Sequence, residues 1–237
     1  MVNSKRKKVI AVVLARLGSR RLKRKMLKKI DGISVIDLFL IRLKKCKKID
    51  KIILATSNLN QDKIFNLIAK KHKIKFFRGS EKDVLGRLNK ATALYKPEDI
   101  IVRANADNPI FMPNIVDDDI KNFINLNYDV FSPFFKNKLP FGYSFVLFKK
   151  SCLLKLNKIA KKKLYREHVE NYCLDYRKKF KVLLSKIEKG AKLYCPSLRV
   201  TLDTENDLKN IKKYYNIIKN VPIKYQAEYL INSVKKK

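Results

Sequence analysis

Apolar positions follow two rhythms along this chain. Val9 to Ala15, VIAVVLA, is an unbroken seven-residue apolar run, the pattern of a buried strand. Lys51–Thr56, Ile74–Phe77 and Asp99–Ala104 read as further strands. Between them, Val35–Cys46, Gln61–Lys71 and Asp83–Tyr95 carry apolar residues near 3.6 spacing (Ile36, Phe39, Leu40, Leu43) and read as helices. Short strands alternating with helices predict an α/β fold of βαβ units around a mostly parallel sheet. Ligands of such sheets gather beyond the carboxyl ends of the strands. The loops Arg16–Lys25, Thr56–Asn60, Arg78–Asp83 and Asn105–Asn108 are therefore expected around one crevice.

The rhythm changes after a helix predicted from Pro113 to about Leu126. Tyr128–Ser132 and Phe141–Lys149 are aromatic-rich and read as strands, Tyr165–Tyr176 as a helix, and Phe180–Ile187 and Ser197–Leu202 as strands. Asp203 is placed to cap a last helix reaching about Ile218. The expected organisation is one domain over 1–237. Residues 133–195 form a lid or insertion of mixed strands and helix, and 219–237 a basic tail with a short helix.

Composition changes this picture little. The chain has 237 residues, enough for one substantial core, and 46% of them are apolar, which argues against disorder. A net charge of +35, from 56 Lys and Arg against 21 Asp and Glu, invites an RNA-binding alternative. The lysines are spread over every predicted helix without an aromatic-interleaved motif, so no specific nucleic-acid partner is expected. MVNSKRKK ahead of VIAVVLA imitates a signal peptide, but Arg16, Arg20 and Arg21 replace the small-residue cleavage site. No apolar run approaches the roughly eighteen residues of a membrane span. Cys46, Cys152, Cys173 and Cys195 show no CxxC spacing and read as reduced, mostly buried thiols of a cytoplasmic protein.

The loop after the first strand holds Gly18, Ser19 and the cations Arg16, Arg20, Arg21, Lys23, Arg24 and Lys25. Free backbone N–H groups and positive charge just before a helix suit polyphosphate, although neither GxxxxGK[ST] nor GxGxxG is present. A basic surface turn would look similar. Arg78-Gly79-Ser80-Glu81-Lys82-Asp83, with Arg87 one turn on, offers a second set of backbone donors or an ordinary strand-to-helix turn. Asp107 and Asp203 each end a predicted strand, where a carboxylate is placed to bind Mg²⁺ bridging phosphate oxygens. An Asx turn before Pro109 and a helix cap are the plain readings of the two. Arg166 and His168 on the lid could meet an anionic substrate, or lie on a helix surface.

Taken together, these segments resemble the cytidylyltransferases that activate acidic sugars. The nearest type is that of spore-coat polysaccharide biosynthesis, related to the 3-deoxy-manno-octulosonate and acylneuraminate enzymes. The motif ARxGSxRLxxK is matched by Ala15, Arg16, Gly18, Ser19, Arg21, Leu22 and Lys25. FRGSExDVLxR is matched by Phe77 through Arg87, VRxxxDxP by Val102, Arg103, Asp107 and Pro109, REHV by Arg166 to Val169, and LRxTxDxxxDL by Leu198 through Leu208. The family's GLDVE in the lid becomes Gly142-Tyr143-Ser144-Phe145-Val146, with both acids missing.

The resemblance implies a Rossmann-like nucleotidyltransferase fold and a Mg²⁺-dependent transfer of CMP from CTP to an acidic, sugar-derived acceptor, releasing pyrophosphate. Lys25, Arg16, Asp107 and Asp203 would be catalytic, with Asp107 and Asp203 on the metal. Ala15, Arg16, Gly18, Ser19, Arg21, Lys25, Arg78, Gly79, Ser80, Asp83 and Arg87 would bind the nucleotide. Arg166, His168, Gly142 and Ser144 would bind the acceptor, in a pocket made more positive by the lost acids. A non-catalytic or altered-acceptor paralogue is the alternative within the same fold, and a homodimer stays open.

Overall fold

The computed structural model describes residues 6–133, 139–185 and 188–235. The first five residues of the MVNSKRKK segment, 134–138 and 186–187 of the expected lid, and 236–237 of the tail lie outside the described residues.

β1 (Val9–Leu14) is buried along both faces, as its continuous apolar sequence requires of a central parallel strand. A tight hairpin of β2 (Lys29–Ile30) and β3 (Ile33–Ser34) leads into α1 (Val35–Leu43). The hairpin turn sits on Asp31 and Gly32, both at positive φ, and no apolar run announces it. Then come β4 (Lys51–Ser57), α2 (Ile64–Lys71), β5 (Lys75–Gly79), α3 (Val84–Ala91), β6 (Ile100–Asn105) and α4 (Pro113–Leu126). The four predicted strands of this half are present within one or two residues; α1 and α3 end three or four residues before their apolar patterns do, α2 starts three residues late, and α4 has its expected bounds.

The second half departs more. It consists of β7 (Val130–Ser132), β8 (Val146–Lys149), α5 (Lys150–Ile159), α6 (Lys163–Glu167), α7 (Val169–Asp175), β9 (Val182–Leu184), α8 (Glu205–Ile218) and α9 (Ile223–Lys235). The helix expected over Tyr165–Tyr176 breaks at His168, whose φ of −102° and ψ of 78° are not helical. The strand expected over Phe141–Lys149 starts only at Val146. Residues 197–202 are not a strand: Ser197 belongs to a turn closed by the Leu198 N–H on the Cys195 carbonyl, and the rest makes a single bridge, between Phe141 and Arg199. Asp203 is not the cap of the last helix. Thr204 accepts from the Asp207 N–H while Asp207 accepts from the Thr204 N–H, a reciprocal capping box.

One seven-stranded sheet runs β5-β4-β1-β6-β8-β7-β9. β8 is antiparallel to both its neighbours, and the other pairings are parallel. Strand alternation sends Ala11, Val13, Val102 and Ala104 to one face and Ile10, Val12 and Ile101 to the other. The first face packs Phe39 of α1, Phe65 of α2, Phe123 of α4, Ile211 of α8 and Leu230 of α9. The second packs Leu85 of α3, Leu153 of α5, Tyr165 of α6 and Val169 of α7. The chain leaves β1 toward β4 and β5, then returns to β6 on the other side. The carboxyl ends of β1 and β6 thus border a topological switch point.

Candidate active site

Lys25 stands at that switch point. Leu22 and Met26, each 2% exposed, anchor the loop on either side, and Arg24 takes a left-handed turn at φ 52°. The Lys25 ammonium donates to Asp107 Oδ2 (2.9 Å), Asp203 Oδ1 (3.1 Å) and the Leu202 carbonyl (2.8 Å). Its three N–H groups are thereby all engaged. Asp107 follows β6, and its own carbonyl accepts from the Leu202 N–H at 2.7 Å, which ties the two aspartate-bearing segments side by side. Arg21 Nη2 lies 3.1 Å from Asp203 Oδ1, and Arg199 donates to Asp203 Oδ2. The capping box explains why Asp203 is available: Asp207 and Thr204 serve the helix instead.

The rest of the first loop is pinned from below. Asp62, fully buried, accepts from the Leu17 N–H (2.8 Å) and from the Ser57 hydroxyl. Ala15 is buried, with its carbonyl taken by Thr56 (2.8 Å), and Ser19 turns the loop by accepting from the Leu22 N–H at 3.4 Å. Gly18 faces Glu81 and Gln61, whose side-chain tips would lie 3.3 and 3.4 Å from an added Cβ. Arg16 lies 3.3 Å from Glu81 and 4.0 Å from Glu167. Two cations of the loop, Arg16 and Lys25, therefore each stand between two carboxylates, a charge pattern an incoming polyphosphate can replace.

The second segment is mostly turn architecture. Arg78 donates to the Asn58 (2.6 Å) and Leu59 (3.2 Å) carbonyls and so holds the loop after β4. Gly79 lets Arg87 and Phe77 pack where a Cβ would come within 3.1 Å of either. The Ser80 hydroxyl accepts from the Asp83 N–H and its carbonyl from Arg87 Nη1 at 2.7 Å. Arg87 is only 4% exposed. Burial, then the neighbouring Arg16 charge, lowers its pKa to about 10.

The residues expected to hold the acceptor are divided. Arg166 grips Asp83 through two hydrogen bonds, 2.8 and 2.6 Å. Burial works to raise the Asp83 pKa, but these bonds and the Gly86 N–H leave it below the ordinary value. His168 is exposed at the α6–α7 break. Gly142 lies elsewhere, at φ 101°, where a Cβ would come within 2.9 Å of Thr201 Oγ1. Ser144 is a correction: it is 1% exposed, with its hydroxyl donating to Asp119, so it cannot face an acceptor. Val146 is buried too, paired with Arg103 on β6. The two lost acids therefore leave no charge change in a pocket, because both positions point into the protein.

Other residues emerge only from the structure. Arg103, 9% exposed, gives Nη1 to both oxygens of Glu170 at 3.0 Å. Glu167, Arg166 and Glu170 thus reach three separate points of the crevice from one broken helix. Arg103 and Arg166 lie in quoted motifs, yet no spacing rule pairs them with Glu170 and Asp83.

Among the described residues, no group of three or more His, Cys, Asp or Glu side chains is arranged to hold a metal ion. Asp107 and Asp203, with the Leu202 carbonyl, nevertheless form an oxygen set around a cation, the Lys25 ammonium. Mg²⁺ prefers such hard oxygen donors, taking one or two carboxylates and filling the remaining positions with water and phosphate. The donor set fits that ion.

A cationic loop after the first strand, facing two aspartates at the switch point of a mostly parallel sheet, defines a nucleotidyltransferase. The cytidylyltransferase family profile matches residues 10–235, and the chain belongs to that family as a CTP-dependent nucleotidyltransferase. It is 36% identical over 226 residues to the uncharacterized protein MJ1063 of Methanocaldococcus jannaschii, covering 94% of this chain and 90% of that one. It is 28% identical over 213 residues to the spore coat polysaccharide biosynthesis protein SpsF of Bacillus subtilis, covering 87% and 86%. Among solved structures, a cytidylyltransferase of Leptospira borgpetersenii superposes with a TM-score of 0.88 at 27% identity, covering 98% of this chain and 95% of that one. A CMP:2-keto-3-deoxy-manno-octonic acid synthetase complexed with CTP superposes at 0.67 and 13% identity, covering 89% and 99%, a likeness of fold. Among the described residues no helix is long and apolar enough to cross a membrane.

Proposed function

We propose that the enzyme transfers CMP from CTP to an oxygen of an acidic, sugar-derived acceptor and releases pyrophosphate. The observation that carries this reading is the Lys25 ammonium held between Asp107 and Asp203 at the carboxyl ends of β1 and β6. The names of two similar proteins support the acceptor class, one in polysaccharide biosynthesis and one acting on a keto-deoxy sugar acid.

The acceptor oxygen bonds to the α-phosphorus as the bond to the β-phosphate breaks. No covalent enzyme intermediate is needed, so catalysis is positioning and charge stabilisation. Arg16, Arg21 and Lys25 turn from their carboxylates to the triphosphate and offset charge growing on pyrophosphate, while Gly18 lets the backbone approach. Arg78, Gly79, Ser80, Asp83 and Arg87 set the shape of the nucleotide pocket through the turn they build. Asp107 and Asp203 would hold Mg²⁺, which supplies polarisation of the α-phosphate and of the attacking oxygen. The section around 139–185 takes the acceptor, with Gly142, Arg166 and His168 at its edge. Four free, buried thiols suit a reducing, cytoplasmic setting.

Pyrophosphate release with each of the four nucleoside triphosphates, Mg²⁺ and a panel of sugar acids tests the reading. CTP with an acidic acceptor should support release, and neutral sugars should not. Release with a neutral sugar in preference to every acid would overturn it.

A further inference from the structure

Segment 198–203 bridges Phe141 through Arg199, and its Leu198, Val200, Thr201 and Leu202 are buried. Arg199 is exposed and reaches Asp203, while Thr201 between them is buried against Gly142. The Arg199 guanidinium lies 5.0 Å from the centroid of the Phe141 ring, and Phe141 is 43% exposed beside Gly142. Gly142 lets the backbone lie flush against Val200 and Thr201, so Phe141 and Arg199 project together.

The guanidinium is anchored along one edge. Nη2 donates to Asp203 Oδ2, and Nε stands 3.6 Å from Asp207 Oδ1. Among the described residues Nη1 makes no hydrogen bond or ion pair. A flat cation backed by an aromatic face, oriented along one edge and open along another, matches a planar carboxylate. Asp203 also sorts the cations around it: Lys25 and Arg21 take Oδ1, and Arg199 takes Oδ2. The first two are the cations assigned above to the phosphates, and Arg199 is held on a different oxygen from either of them. Arg166, the cation the sequence favoured for an acid, is already held by Asp83.

We propose that Arg199, backed by Phe141, binds the carboxylate of the acceptor and sets the preference for acidic over neutral acceptors. This rests on the CMP-transfer reading above.

The test uses the full chain with CTP, Mg²⁺ and two probes, 3-deoxy-manno-octulosonate and N-acetylneuraminate, each beside its carboxamide. CTP affinity is measured separately by titration calorimetry, and thermal unfolding checks each variant. A site built to pair a charged group discriminates by orders of magnitude, so the wild type should favour acid over amide by about 10²-fold. Arg199→Gln should collapse that ratio by raising the KM for the acid, with CTP affinity within about twofold of wild type. Arg199→Lys keeps the charge without the fork and should fall between the two. Phe141→Ala should raise the acid KM severalfold, and Phe141→Tyr should restore it.

If Arg199→Gln loses CTP affinity and keeps its acid-to-amide ratio, Arg199 is a phosphate residue and the subsite is overturned. An acid turned over with unchanged KM in Arg199→Gln overturns the subsite alone. CTP binding without turnover of any acid overturns the transfer reading, and the subsite with it.

Discussion

The Lys25 ammonium stands 2.9 Å from the Asp107 carboxylate, across 82 positions of sequence. Asp203 completes the clamp from a further segment, and Lys25 is only 12% exposed there. Losing one placed charge that stabilises a transition state costs on the order of 10²–10³ in rate. Lys25→Ala should fall in that range in a pyrophosphate-release assay. Lys23→Ala, two residues away on the same loop but outside the clamp, should lose far less; equal losses would mean that bulk charge serves the phosphates.

Asp203 and Thr204 are neighbours with separate duties. Thr204→Ala removes the hydroxyl that accepts from the Asp207 N–H and should lower stability by about 1 kcal/mol, read from urea unfolding. Asp203→Asn should leave α8 capped and the protein folded, yet abolish Mg²⁺-dependent turnover, as should Asp107→Asn. An Asp203→Asn protein as active as wild type would remove it from the chemistry.

Much of this arrangement could be read from the chain, and the part that could not has physical causes. β1, β4, β5 and β6 were legible because strands buried on both faces must be apolar throughout. Asp107 was legible as a carboxylate just past such a strand and Lys25 as a cation of the loop after β1, whereas Asp203 was expected at the end of a strand that the fold does not form. α5 went unread although Cys152, Leu153 and Leu156 share one helical face; what the pattern could not show is its first residue, Lys150, which lies 1% exposed with its ammonium on the Asn89 carbonyl, Asn89 Oδ1 and Thr92 Oγ1. Burial lowers that ammonium to about 8, and no hydropathy pattern anticipates such a lysine. Ser144 misled for the opposite reason: a small polar residue in an acid's position looks exposed, whereas its hydroxyl serves a carboxylate on α4.

That carboxylate gives a pH dependence. Burial pushes Asp119 up to about 7, against the pull of the Ser144 hydrogen bond. The unfolded chain ionises near the ordinary aspartate value of 3.8, so between about 4 and about 7 it releases a proton that the folded protein keeps. Wild-type stability should therefore decline relative to Asp119→Asn across that window, then run parallel to it above. Thermal unfolding of both proteins from pH 4 to 8.5 checks this; a constant difference would show that Asp119 is already ionised in the fold.

Gly142 combines a φ of 101° with a 2.9 Å approach of Thr201 Oγ1 to the place a Cβ would occupy. Strain of this kind costs on the order of 1–3 kcal/mol. Gly142→Ala should lose about that much in denaturant unfolding. Gly190, also at positive φ but with nothing within 4 Å, should tolerate alanine better.

The central claim is that the Lys25–Asp107–Asp203 clamp serves CMP transfer with loss of pyrophosphate. Phosphorus NMR of a reaction containing CTP, Mg²⁺ and a sugar acid tests it most directly. One CMP phosphodiester and one pyrophosphate should form for each CTP consumed, with neither formed by Asp203→Asn although that variant still folds. Formation of a CDP-linked product with inorganic phosphate, or equal product from Asp203→Asn, would contradict it.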